Sequence, residues 1–115
     1  TEIERVGMVC RIAGGVGIAE VYPVVKAHKS IGNHVLAILG ARNKELIIFK
    51  SELEGLCDEI FITTDDGSLG EKGFVSGVLK RLIDSGRQMD IVYAVGPAIM
   101  MKVIADVTRP YNIKT

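Results

Sequence analysis

Tryptophan is absent from this sequence of 115 residues, cysteine occurs twice, proline three times, and aromatic residues make up only 5%. Each scarcity removes a class of protein. The two cysteines, Cys10 and Cys57, have no CxxC spacing and lie in aliphatic contexts. They are too few for a metal cage or a disulfide framework and read as buried free thiols. Excess charge is lacking too: 14 basic residues balance 14 acidic ones. No electrostatic footprint for nucleic acid or an anionic membrane is therefore expected. No apolar stretch reaches the roughly 20 residues of a membrane span. No signal or transit segment is visible either, which points to the cytoplasm.

What is present is ordinary for a globular chain, with 48% hydrophobic and 24% charged residues, a balance that argues against disorder. With so few aromatics, burial must come from Val, Ile, Leu and Ala. Such residues suit a parallel sheet covered by helices, whose strands read as continuous aliphatic runs. The length fits one domain spanning residues 1–115, with a single core region.

Apolar runs and turn residues alternate along the chain. Val6 to Ala13 reads as a buried strand ending in Gly14-Gly15-Val16-Gly17, and Ile18 to Lys29 as a helix stopped by Ser30-Ile31-Gly32-Asn33. His34 to Leu39 is a second strand closed by Gly40-Ala41-Arg42, and Lys44 to Leu56 a second helix. Glu59 to Thr64 is a third strand, followed by the turn Asp65-Asp66-Gly67-Ser68, a glycine-rich stretch, and a helix from Phe74 to Ser85. Asp90 to Val95 is the fourth strand, Gly96-Pro97 its turn, and Ala98 to Thr108 the last helix, ended by Arg109-Pro110. Strict alternation of this kind predicts a three-layer α/β fold with a parallel, doubly wound sheet. Ligands of such sheets bind outside the carboxyl ends of the strands, where the glycine turns fall.

The strand-end residues are the candidate site. Gly14, Gly15, Val16 and Gly17 offer bare backbone amides and a helix N-terminus to an anionic pyrophosphate. The match to GxGxxG is incomplete, since Glu20 holds the third place. After the second strand, Ala41 is followed by two cations, Arg42 and Lys44, with no acid before Glu45, which favours NADP(H) over NAD(H) at the adenine ribose. An arginine there also suits simple stacking on adenine. Thr64, Asp65, Asp66 and Gly67 add a hydroxyl, carboxylates and a flexible backbone; adjacent aspartates in a turn act first as turn formers. Gly96 and Pro97 allow close approach of a flat ring; Met100 and Met101, in the next turn, are polarizable but read first as core filler. His28 and His34, at a helix end and a strand start, read as surface or capping residues and not as metal ligands. No catalytic or metal-binding residue is predicted.

The segments GGVGIAEVYP, ILGARNKELI, TTDDGSLGEKGFV and YAVGPAIMMK occur in an order and spacing that resembles the ferredoxin-NADP reductase-like superfamily. Within it the chain is most similar to the flavin subunits of NADH-dependent ferredoxin:NADP oxidoreductase and sulfide dehydrogenase, and to the electron-transfer subunit of dihydroorotate dehydrogenase. The resemblance implies hydride transfer between a nicotinamide and a flavin, FAD, with electrons passing on through a two-iron iron-sulfur cluster. It places Gly14, Gly15 and Gly17 at the pyrophosphate and Arg42 at the adenosine. Asp65, Asp66 and Gly67 border the cleft, and Gly96 and Pro97 lie at the nicotinamide. Two positions depart from the pattern: Glu20 where relatives commonly have proline, and Val95 where many have a cysteine.

The family's flavin-binding barrel and cysteine-rich cluster segment are not in this sequence. It starts at Thr1 and stops at Ile113-Lys114-Thr115, where a further strand would begin. We therefore expect an NAD(P)-binding domain from a larger flavin and iron-sulfur protein, cut before its last strand. Its partners would be a larger flavin/iron-sulfur subunit and, as electron carrier, ferredoxin. Alone it would bind nucleotide without turnover, and would self-associate through an exposed sheet edge. Two alternatives stay open: an NADH-binding module of a dihydroorotate dehydrogenase electron-transfer subunit, and a non-catalytic nucleotide-sensing domain.

Overall fold

The computed structural model describes residues 7–14, 18–43, 45, 47, 50–87, 89–96 and 98–109. The order of elements is β1 (Met8–Gly14), α1 (Ile18–Ser30), β2 (His34–Ala41), α2 (Lys50–Leu56), β3 (Glu59–Thr64), β4 (Glu71–Lys72), α3 (Val75–Asp84), β5 (Ile91–Val95) and α4 (Ala98–Thr108). All strand pairs are parallel, and the sheet runs β4-β3-β2-β1-β5. No helix among the described residues is long and apolar enough to cross a membrane. The strand expected near Lys114 lies outside the described residues.

Side-chain alternation along β1 and β2 sends residues to two cores, one on each face of the sheet. Cys10, Ile12, Leu36 and Ile38 pack with Val75, Val78, Leu79 and Leu82 of α3 and Ile104 of α4. Ala13, Val35 and Leu39 pack with Ile18, Val21 and Val25 of α1 and Leu53 of α2. Helices thus cover both faces, as the aliphatic strand runs predicted. β1 has β2 on one side and β5 on the other, so the chain reverses its direction of travel across the sheet at β1. Ligands of doubly wound sheets bind at that point, outside the carboxyl ends.

Three elements differ from the sequence reading. β2 runs on to Ala41 instead of stopping at Leu39, because Gly40 and Ala41 remain paired to Thr63 and Thr64 of β3. α2 is described over Lys50–Leu56, and Ile47 is buried outside any helix, so the helix expected from Lys44 is not continuous through it; β-branched residues are poor helix formers. The short strand β4 appears where a loop was expected. It pairs Glu71 and Lys72 with Thr63 and Thr64 after only the segment 65–70. Gly70 makes this reversal possible, with φ +63 and a position where any Cβ would strike the Ile62 carbonyl.

The amino-terminal edge of the sheet is locked by charge. Asp58 accepts from Lys29 Nζ at 2.7 Å and from the Val35 amide at 2.8 Å. Glu59 takes both arms of the Arg87 guanidinium and lies 3.3 Å from His34 Nε2. Met8 N–H donates to Asp90 at 2.7 Å. The site edge is at the opposite end.

Candidate functional site

Strand register brings the predicted residues into one row. Gly14 at the end of β1 pairs with Gly40 of β2, Gly40 with Thr63, and Ala41 with Thr64. On the other side, Ala13 pairs with Val95, and Gly96 sits so close that a Cβ built on it would lie 3.3 Å from the Gly14 amide nitrogen. The row therefore runs Gly96, Gly14, Gly40-Ala41, Thr63-Thr64 along the carboxyl edge, with the β1–β5 reversal at one end. Gly15, Val16, Gly17 and Pro97 lie outside the described residues.

The turn after β3 is built around Thr64. Its buried Oγ1 donates to the Leu69 carbonyl at 2.8 Å and accepts from the Leu69 amide at 3.2 Å, while its carbonyl accepts from the Gly73 amide at 3.2 Å. Asp66 Oδ1 accepts from the amide and hydroxyl of Ser68 at 2.9 and 2.6 Å, the turn-forming role foreseen for it. Gly67 takes φ +74 in the same turn. Asp65 is exposed and makes no side-chain hydrogen bond among the described residues.

The β3 turn docks on the β2 turn. Asp65 N–H donates to the Ala41 carbonyl at 3.0 Å and Asp66 N–H to the Arg42 carbonyl at 3.1 Å. Arg42, read from the sequence as a cation without an acid nearby, thus has a carboxylate-bearing turn beside it. The buried Oδ1 of the adjacent Asn43 has no hydrogen-bond partner among the described residues. An unmet acceptor of this kind costs about 1–3 kcal/mol, and it suits a ligand's hydroxyl or amino group.

Gly40 admits the start of α3: a Cβ there would stand 2.6 Å from Val75 Cγ1. The N-cap residue Phe74 makes no side-chain cap bond and is 74% exposed, and the first turn of α3 carries no acid. The first turn of α4 carries none either. Both N-termini keep their partial positive charge at the site edge. Met100 of α4 reaches back to Gly96, its Cε 2.7 Å from where a Cβ would be.

Two findings were missed by the sequence reading. Arg11, in the middle of β1, is only 6% exposed and stacks on Tyr93 of β5. His28 is 1% exposed, a correction to its expected surface or capping role. Its Nε2 accepts from Arg11 Nε at 3.2 Å and Nη2 at 2.9 Å. A charge inside an otherwise apolar strand was the available signal, since arginine is seldom fully buried unless paired. His34 is exposed at the strand start, as expected. Cys10 is buried and Cys57 partly so. Burial pushes their thiols up to about 12 and about 11, which leaves both protonated and unreactive. Among the described residues no group of three or more His, Cys, Asp or Glu could hold a metal ion.

Comparison with known proteins agrees with this architecture. Residues 12–106 match the oxidoreductase NAD-binding domain family. The dihydroorotate dehydrogenase B (NAD(+)) electron transfer subunit homolog of Thermotoga maritima is 42% identical over 113 residues, covering 98% of this chain and 39% of the relative. The structure of an NADH-dependent reduced ferredoxin-NADP oxidoreductase superposes with a TM-score of 0.84 at 42% identity, over 98% of this chain and 40% of that one. The C-terminal domain of the PF1911 hydrogenase from Pyrococcus furiosus gives 0.81 at 25% identity, over 99% and 92%. The chain thus spans about two-fifths of the first two relatives. With its parallel sheet, its glycine-bearing strand ends and this match, the chain belongs to the oxidoreductase NAD-binding domain family.

Proposed function

We propose that this chain is the nicotinamide-dinucleotide docking domain of a larger flavin-dependent electron-transfer protein. The observation that carries the proposal is the abutment of Gly96 on the Gly14 amide at the β1–β5 reversal. It leaves a stretch of bare backbone where a doubly wound sheet receives its ligand. The residues fit such a ligand. Gly14, with Gly15, Val16 and Gly17 beyond it, would face the pyrophosphate. Ala41, Arg42, Asn43 and Asp65 would surround the adenine ribose, bordered by Thr64, Asp66 and Gly67. Gly96, Pro97 and Met100 would flank the nicotinamide.

When bound, the nicotinamide supplies the hydride chemistry. This chain binds and orients it, and shields one side with the β1 and β5 strand ends. FAD, an iron-sulfur cluster and the electron acceptor, with ferredoxin as one candidate, would belong to the remainder of the protein or to a partner subunit. The names of the relatives support this division of labour. The chain alone would bind nucleotide without diaphorase activity.

A second reading concerns which dinucleotide. Arg42 by itself suits the 2'-phosphate of NADP(H). The docking of the Asp65-Asp66 turn on Ala41 and Arg42 supports NAD(H), because the exposed Asp65 carboxylate would accept from a 2'-hydroxyl and repel a 2'-phosphate. Titration of amide resonances with NAD+ and NADP+ tests both readings. Shifts at Gly14, Ala41, Asp65 and Gly96 are expected, and saturation with none of them moving rejects the docking site.

A further inference from the structure

Met100 stands in the first turn of α4, and long side chains in a helix lean toward its amino terminus. Here the lean carries the thioether back over the end of β5. A Cβ built on Gly96 would meet Met100 Cε at 2.7 Å, Met100 Sδ at 3.2 Å and the Gly14 amide nitrogen at 3.3 Å. The tip of Met100 and the Gly14 amide therefore converge on the space that a side chain at position 96 would fill. That space is the one between the ends of β1 and β5, where the sheet reverses.

Two features distinguish this arrangement from core filling. First, the stem and the tip of Met100 have different surroundings. The residue packs against the α3/α4 core, while its Cε and Sδ reach the space beside Gly96 at the ligand edge. Second, the side chain is unbranched, with three rotatable bonds and a polarizable sulfur, so its tip can change place at little cost while the stem stays anchored. A leucine or isoleucine at this position would be held by its branch. A tip that stands beside bare backbone and moves easily has the properties of a stopper.

We infer that Met100 is a displaceable plug over the nicotinamide end of the site. This inference rests on the docking function proposed above. In the free domain the methyl group stands beside Gly96, in the space that the Gly14 amide also borders. When a flat ring enters, the tip swings aside and the sulfur lies along the ring edge. The plug lowers apparent affinity by the fraction of time it stands aside, and it makes the site selective for ligands that carry a ring to replace it.

The test uses the full chain with 13C-labelled methionine methyl groups and 15N-labelled amides, titrated with NADH and, separately, with ADP-ribose, which lacks the nicotinamide ring. Four methionines are present, Met8, Met89, Met100 and Met101; Met8 and Met89 lie at the amino-terminal side of β1 and β5 and serve as internal references. NADH is expected to shift the Met100 methyl together with the Gly14 and Gly96 amides, while ADP-ribose shifts amides near Ala41 and Asp65 and leaves the Met100 methyl in place. Met100→Ala is expected to tighten NADH binding roughly three- to tenfold without changing ADP-ribose binding. Saturation with NADH that moves the strand-end amides but not the Met100 methyl overturns the plug, as does weaker NADH binding by Met100→Ala. If no strand-end amide responds to either ligand, the docking reading fails first and takes the plug with it. The methyl measurement is made on the unaltered chain and does not depend on any variant folding.

Discussion

The guanidinium carbon of Arg11 stands over the ring of Tyr93, 4.0 Å from its centroid, directly across the register of β1 and β5. His28 completes the cluster, accepting two hydrogen bonds from the guanidinium with its ring centroid 5.6 Å from that of Tyr93. A buried cation is expensive unless its donors and its charge are both met. Here a neutral imidazole accepts from Nε and Nη2 of the guanidinium and an aromatic face meets the charge, with no ion pair to Arg11 among the described residues.

The first prediction follows from that balance. Arg11→Met combined with His28→Leu removes the buried charge together with its acceptor, and is expected to leave stability within about 1 kcal/mol of the unaltered chain. His28→Ala leaves the guanidinium buried without its acceptor and is expected to cost roughly 3 kcal/mol. Urea denaturation of the two variants measures the difference. Equal losses would mean that the cluster is ordinary packing.

Acidity should act through His28 first. Burial, reinforced by the charge of Arg11, holds the imidazole below its ordinary pKa. The unfolded chain therefore takes up this proton near pH ~6.5 while the folded one resists. The stabilisation is complete above that pH and is lost as pH falls below it, by at most about 1.4 kcal/mol per pH unit. A second loss follows below pH ~4. Burial raises the Asp58 carboxyl, but the Lys29 hydrogen bond, the Val35 amide and His34 outweigh it and hold the group low. Glu59 is held low chiefly by Arg87. Depressed carboxylates contribute above their unfolded pKa and lose that contribution as they protonate. Urea midpoints measured from pH 8 to pH 3 should show two stages, and His28→Gln, which keeps an acceptor for Arg11, should abolish the upper one.

Gly40→Ala tests the approach of α3 to β2. The new methyl would stand 2.6 Å from Val75 Cγ1 and 3.1 Å from Thr63 Oγ1. Overpacking of this kind costs about 1–3 kcal/mol, or a fall in Tm on the order of 4–12 °C. Adding Val75→Ala should recover part of the loss, because contacting positions couple. Calorimetry on both variants reads the result, and strictly additive losses would rule out the contact.

Asp65→Ser tests the choice of dinucleotide. Removing a like charge from beside a 2'-phosphate is expected to raise NADP+ affinity relative to NAD+ by roughly tenfold, the equivalent of about 1.4 kcal/mol, and less at high salt. Arg42→Ala should act in the opposite direction. Calorimetric titration of both cofactors at two salt concentrations decides the matter, and an unchanged ratio in Asp65→Ser would leave Arg42 as the discriminating residue.

The alternation of aliphatic runs with glycine turns was enough to specify helices on both faces of a parallel sheet. β3 at Glu59–Thr64 and α4 at Ala98–Thr108 fall where the sequence placed them, because their signals are local: a β-branched run before Asp-Asp-Gly, and a helix bounded by Gly-Pro and Arg-Pro. The strand ends of the candidate site were legible for the same reason. Local chemistry did not reach β4, whose two residues are a strand only through their partners on β3, nor the break at Ile47 in the helix expected from Lys44.

The sequence by itself determined which residues turn the chain at the carboxyl edge, since a missing side chain or an aspartate acts on its own backbone. Only the tertiary structure decided which of those turns touch. The register of β2 on β3 seats Asp65 against Ala41, that of β1 on β5 brings Gly96 to Gly14, and the crossing of α1 over β1 turns Arg11 and His28 into a buried pair. Such relations depend on strand order and on the direction in which side chains leave the sheet, and both are properties of packing between segments distant in the chain.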